Sequence, residues 1–192
     1  GVLLERRPRD VHYTFDWLVA QGADPTSPLY GCVDEADGYV VSGYSLGGYS
    51  AYAVGGAEVT GAWDVPYTGL ADTRVSQVVT HAAWDGSRLI DEGTADIAVP
   101  VLTIGGERDA TVGTAYIDLH SHIRSTARAL ASFPNAGHFT PVPQYCAAIV
   151  AGDGCGPMYM DASIYISSMK TSILAFLEHN RGRTGAWEQL VS

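Results

Sequence analysis

Val40-Val41-Ser42-Gly43-Tyr44-Ser45-Leu46-Gly47-Gly48-Tyr49 runs from a β-branched segment through Gly-x-Ser-x-Gly into the small and apolar residues Ser50-Ala51-Tyr52-Ala53. β-Branched residues favour a strand, and small apolar residues suit a helix lying on a sheet. Strand, sharp turn and helix around this motif form the context of a nucleophile elbow, with Ser45 at the turn and its hydroxyl pushed clear of the sheet. Gly43 and Gly47 are expected where the turn crowds the backbone, so that a Cβ at either would clash. The helix N-terminus turns free N–H groups, Leu46 first among them, toward developing negative charge. In a chain with 22 glycines a bare match is only suggestive. The reading therefore depends on an acid and a histidine further on.

Before this stretch, Arg7-Pro8-Arg9-Asp10 opens a helix with Pro8 in its first turn. Val11, Phe15, Leu18 and Val19 mark its apolar face, and Gly22 and Pro25 end it. Residues 24–37 read as a loop, 39–42 as a strand and 45–55 as a helix. After them, 58–74 reads as loop, 75–80 as a strand and 85–97 as a polar connection. Residues 99–104 form a continuous apolar strand of the kind buried on both faces. A helix over 111–123 and a strand over 127–133 follow. A long loop over 134–157 comes next, and Asp161 caps a final helix with Tyr165, Met169, Ile173, Phe176 and Leu177 at helical spacing. Alternating strands and helices predict an α/β fold with a mostly parallel sheet covered on both faces.

Asp109 follows the apolar strand Val101-Leu102-Thr103-Ile104, and His138 follows the next strand on the loop Pro134-Asn135-Ala136-Gly137-His138. Sites in open parallel sheets assemble at the carboxyl ends of the strands. Ser45, Asp109 and His138 each follow a different strand, in the order of the α/β-hydrolase triad. A serine hydroxyl is a poor nucleophile until a base takes its proton, which a histidine does near neutral pH. An aspartate then orients the imidazole and stabilises its charged form. Glu107 and Asp85 compete for the acid's role; alternation along the strand points residue 107 the other way. Among the other histidines, only His81 lies near a strand end and could border the site. His12, His120, His122 and His179 read as structural or surface residues.

The 192 residues suit one domain, and no apolar run is long enough to span a bilayer. No signal peptide is visible at the start. A net charge of −10 repels phosphate backbones, so nucleic acid is set aside as a partner. No His or Cys cluster has metal-ligand spacing, and no cofactor motif is present. Of three cysteines, Cys146 and Cys155 lie close together in a Gly- and Pro-rich loop. A bridge between them would stabilise by roughly 2–3 kcal/mol and implies an oxidising, secreted or periplasmic location. Cys32 reads as a buried free thiol.

The first helix, the elbow at 43–48, Pro100 to Asp109 and Ala136-Gly137-His138-Phe139 together resemble the α/β-hydrolase superfamily. The nearest likeness is to the bacterial predicted dienelactone hydrolase group, itself similar to platelet-activating-factor acetylhydrolases. That group often carries two cysteines after its histidine, as Cys146 and Cys155 stand here. Dienelactone hydrolases proper use a cysteine nucleophile, whereas Ser45 points to a serine esterase. The resemblance implies a Ser45–His138–Asp109 triad, an oxyanion N–H from Leu46 and a small-molecule ester as substrate. Tyr44, Trp84 and Phe139, with Trp63, Tyr67 and the loop over 140–157, are expected to wall the acyl site. Such enzymes have several strands before the first helix seen here, so the chain is expected to be the C-terminal portion of one hydrolase domain. The N-terminal half is then a partner, and it would supply the second oxyanion donor. A catalytically silent, hydrolase-like binding subunit is the alternative.

Overall fold

The computed structural model describes residues 2–61, 65–148, 152–183, 185 and 188; Trp63 lies outside them. Four strands, β1 (Tyr39–Tyr44), β2 (Val75–His81), β3 (Val101–Gly106) and β4 (Arg128–Phe133), form one sheet in sequential order. Every neighbouring pair is parallel, with Tyr44 beside His81, His81 beside Ile104, and Gly106 beside Phe133. Parallel strands added in one direction by right-handed crossovers place their connecting helices on the same face. Accordingly α2 (Leu46–Val54) and α3 (Ala115–His122) share a core with Val78 and Val101, and α1 (Val2–Ala23) lies outside α2. Val79 and Leu102, one residue on in each strand, point to the other face. There they pack with Ile104 under Met169, Ile173, Phe176 and Leu177 of the C-terminal helix Ala162–His179. Asp161 caps that helix by accepting from the Ser163 and Ile164 N–H groups.

Polar groups inside the larger core are paired. The fully buried Tyr52 hydroxyl meets Thr103 Oγ1 at 2.8 Å and accepts from Thr80 Oγ1 at 2.9 Å. His120 Nδ1 reaches the same Thr103 hydroxyl at 3.0 Å. These bonds tie α2 and α3 to β2 and β3, which positions the loops at the strand ends.

Several expectations need correction. The first helix begins at Val2, so Pro8 lies inside it rather than in its first turn. Proline offers no N–H to the carbonyl four residues earlier, which would orphan the Leu4 oxygen. The Tyr49 hydroxyl donates to that oxygen at 3.0 Å, so a side chain of α2 replaces the missing helical bond. The connection over 85–97 contains a 3₁₀ helix, Asp91–Asp96, whose buried Thr94 donates to the Leu119 carbonyl at 2.8 Å. The loop over 134–157 contains a short helix, α4 (Pro143–Ala148), and the final helix Ala162–His179 is therefore α5. Cys32 is exposed, because its loop stands outside the core. No helix among the described residues is long and apolar enough to cross a membrane.

Candidate active site

Ser45 sits between β1 and α2 with φ 55° and ψ −118°, a conformation that residues with a side chain rarely adopt. The backbone around it overdetermines this turn. Ser45 N–H donates to the His81 carbonyl at 2.9 Å, and the Ser45 carbonyl accepts from Gly48, Tyr49 and Trp84 N–H groups. A Cβ at Gly43 would stand 1.9 Å from the Gly47 carbonyl oxygen, so only glycine fits there. Gly47 corrects the expectation: a Cβ there meets nothing within 4 Å. The second crowded position is Gly48, where a Cβ would lie 2.7 Å from Ala83 Cβ. The helix packs toward the end of β2, so the face carrying Gly48 is the tight one.

The three polar side chains that follow different strands converge. His138 Nε2 is 3.0 Å from Ser45 Oγ, and His138 Nδ1 is 2.8 Å from Asp109 Oδ2. Both partners of the ion-pairing contact are buried, Asp109 at 6 % and His138 at 2 % exposure. Asp109 Oδ1 accepts from the Thr111 and Val112 N–H groups at 3.0 and 2.9 Å, which leaves Oδ2 for the imidazole. A carboxylate receiving at Nδ1 places the neutral ring's proton on that nitrogen, so Nε2 is free to accept from the Ser45 hydroxyl. Glu107 turns away toward Ser132 Oγ, and Asp85 accepts from Ser87 N–H within its own turn. Neither competing acid reaches His138. Leu46 opens α2 directly after Ser45, where a first-turn N–H has no partner within its helix.

Around this set the aromatic residues have mixed placements. The Tyr44 ring lies 5.0 Å from the His138 ring and 5.4 Å from that of His81, and its hydroxyl donates to the His138 carbonyl at 2.7 Å. Phe139 meets His138 edge-on and stacks on the exposed Tyr145 at 4.2 Å. Trp84 is half-buried, 6.4 Å from Tyr49, and follows β2 close to the elbow. Tyr67 is not at the strand ends: it packs against the core cluster that contains Val59 and Leu70. Its N–H bonds the Val59 carbonyl, which holds it beside that core. His81 does reach the site's border but is itself buried, with Nε2 against the Tyr165 hydroxyl. Burial, and then the charge on His138, hold its imidazole down to about 4. Burial, followed by the carboxylates of Asp109 and Asp153, pushes the Tyr44 hydroxyl well above its ordinary value. It therefore stays a donor at any working pH.

Asp153 is the residue that sequence reading missed. Its carboxylate accepts from the Thr111 N–H at 2.7 Å, from Thr111 Oγ1 at 3.0 Å and from the His138 N–H at 3.1 Å. Cys146 and Cys155 form a disulfide with a Cα–Cα distance of 5.3 Å, closing the loop that carries Asp153.

No protein-family model matches the chain. No curated protein matches it either. Among solved structures, the chain is similar to a crystal structure of the esterase domain from a Rhodothermus marinus protein, with 17% sequence identity and a TM-score of 0.40. The alignment covers 52% of this chain and 50% of that one, so the matched region spans about half the length of each.

Proposed function

We propose that this chain is an α/β-hydrolase-type serine hydrolase that cleaves carboxylic esters through an acyl-enzyme. The observation that supports this most is the unbroken relay from Asp109 Oδ2 through His138 to Ser45 Oγ, at 2.8 and 3.0 Å, on a serine held at positive φ. As Ser45 Oγ forms a bond to the ester carbonyl carbon, its proton passes to His138 Nε2. Asp109 stabilises the resulting imidazolium. The Leu46 N–H faces the negative charge that develops on the carbonyl oxygen. Collapse breaks the carbon–alkoxy bond, and the imidazolium returns its proton to the leaving alcohol. Water then repeats the sequence against the acyl-enzyme with His138 as base, releasing the acid and the Ser45 hydroxyl. Tyr44 and Phe139, next in sequence to Ser45 and His138, and Trp84, whose N–H donates to the Ser45 carbonyl at 3.1 Å, are the side chains that would contact the acyl or alkoxy part. The Cys146–Cys155 disulfide is compatible with an oxidising compartment outside the cytosol.

Labelling by a fluorophosphonate probe tests this reading. Wild-type protein is expected to be labelled at Ser45 and to release p-nitrophenol from short-chain esters. Ser45→Ala should abolish both. A correctly folded wild type that neither reacts with the probe nor turns over the ester favours a silent binding subunit instead.

A further inference from the structure

We propose that Asp153 is a positioning residue for the Asp109–His138 pair, and that the Cys146–Cys155 bridge holds it in place. The proposal rests on the hydrolase reading above, because it concerns the base and acid of that same site. One carboxylate grips both loops. One oxygen accepts from the N–H groups of Ala110 and Thr111, the two residues that follow Asp109, and from Thr111 Oγ1. The other accepts from the His138 N–H at 3.1 Å, while the Asp153 carbonyl accepts from Phe139 N–H at 2.7 Å.

The approach is too close for side chains on either strand of backbone. A Cβ at Gly137 would lie 2.3 Å from Asp153 Oδ1, and one at Gly154, where φ is +96°, would lie 2.4 Å from the Thr140 nitrogen. Thr140 Oγ1 completes the seam by accepting from the Gly137 N–H at 2.9 Å. Two residues beyond Asp153, Cys155 is tethered to Cys146 in α4, and the Cys155 N–H bonds back to Gly152 at 3.0 Å. Without that tether the segment over 152–155 loses its covalent cross-link and keeps its hydrogen bonds to the histidine loop.

His138 must keep Nδ1 on Asp109 and Nε2 on Ser45 at once, so a small displacement of its main chain weakens both bonds.

The test uses the full chain with Asp153→Asn, which keeps the shape, and a Cys146→Ser/Cys155→Ser protein. Asp161→Ala, which removes the α5 cap, serves as a stability control away from the site. Asp153→Asn is expected to lower kcat for p-nitrophenyl esters by about tenfold to a hundredfold, with KM within about twofold. The double cysteine variant should move kcat in the same direction, and it carries the test by the same readouts if Asp153→Asn does not fold. A kcat like that of wild type, or a loss no greater than that of an equally destabilised Asp161→Ala, overturns the proposal. If the wild type itself does not react with a fluorophosphonate, the hydrolase reading fails separately. NMR of the His138 Nδ1 proton then decides: a weakened or lost hydrogen-bonded resonance in Asp153→Asn supports the positioning role, and an unchanged one overturns it.

Discussion

The Tyr44 hydroxyl donates to the main-chain carbonyl of His138 at 2.7 Å, so the residue immediately before Ser45 holds the backbone of the histidine that Ser45 faces. Serine and histidine lie 93 residues apart in the chain, and this bond joins their loops directly. It gives Tyr44 a bracing contact in addition to the pocket-lining place expected from its position. Tyr44→Phe keeps the ring between His81 and His138 and removes only the bond. The expected result is a fall in kcat of about tenfold with KM nearly unchanged, from looser placement of the imidazole. Stability should drop by about 1 kcal/mol. A raised KM at unchanged kcat would instead mean that the hydroxyl contacts the substrate.

Three glycines at the elbow separate crowding from coincidence. Gly43→Ala and Gly48→Ala each drive a methyl group against neighbours, the Gly47 carbonyl in one case and Ala83 in the other. Both should lose about 3 kcal/mol or more, or fail to fold. Gly47→Ala enters open space inside a helix and should be neutral or stabilising, by up to about 1 kcal/mol. Thermal melts of the three variants check the order. Equal destabilisation at 47 and 48 would contradict the packing of α2 against the end of β2.

The parallel sheet was legible because each strand is a short β-branched or apolar run followed by a polar turn. Ser45, Asp109 and His138 could be picked out for the same reason: each comes just after such a run. Asp153 could not. It lies 15 residues beyond His138, follows no strand directly among the described residues, and bonds to backbone N–H groups that carry no sequence signature. The one hint is its setting, Gly152-Asp153-Gly154-Cys155, where flanking glycines permit close backbone approach. Gly47 and Gly48 were confused because the motif fixes spacing along the chain, whereas crowding depends on which side of α2 meets Ala83. Pro8 misled in a similar way. Local rules put proline in a first turn, and only the tertiary bond from Tyr49 makes an interior position tolerable.

That Tyr49–Leu4 bond is open to a double-mutant cycle. Tyr49 is fully buried, and Tyr49→Phe leaves the Leu4 carbonyl without a donor, so it should cost about 1–3 kcal/mol. Pro8→Ala restores an N–H that can reach the same carbonyl through the helix. In that background Tyr49→Phe should cost appreciably less, with a coupling of about 1 kcal/mol. Denaturant melts of the four proteins measure it. Strict additivity would mean that the hydroxyl does not substitute for the missing helical bond.

The pH dependence of stability follows from buried histidines. Burial, and then the charge on His138, lowers His81 to about 4 from its ordinary value near 6.5; burial, and then the Arg128 charge, lowers His120 to about 4 as well. Between those limits the unfolded chain binds protons that the folded chain refuses, so stability is complete above about pH 6.5 and falls as pH drops toward 4. For His81, at 9 % exposure, the full loss is on the order of 3 kcal/mol. Asp72 belongs to a different window. Hydrogen bonds from the Arg74 side chain first, and from its backbone and Tyr39 after it, hold its carboxyl at about 2. Its contribution is present above the ordinary carboxylate range near 4 and is lost as pH falls through about 2. Urea melts at pH 7, 5.5 and 4.5 should therefore show a decline already well above the carboxylate range. His81→Gln can still bond the Tyr165 hydroxyl but takes no proton, so its stability should fall less steeply over the same interval. Identical slopes for wild type and His81→Gln would place the proton uptake on other groups and remove His81 from the account.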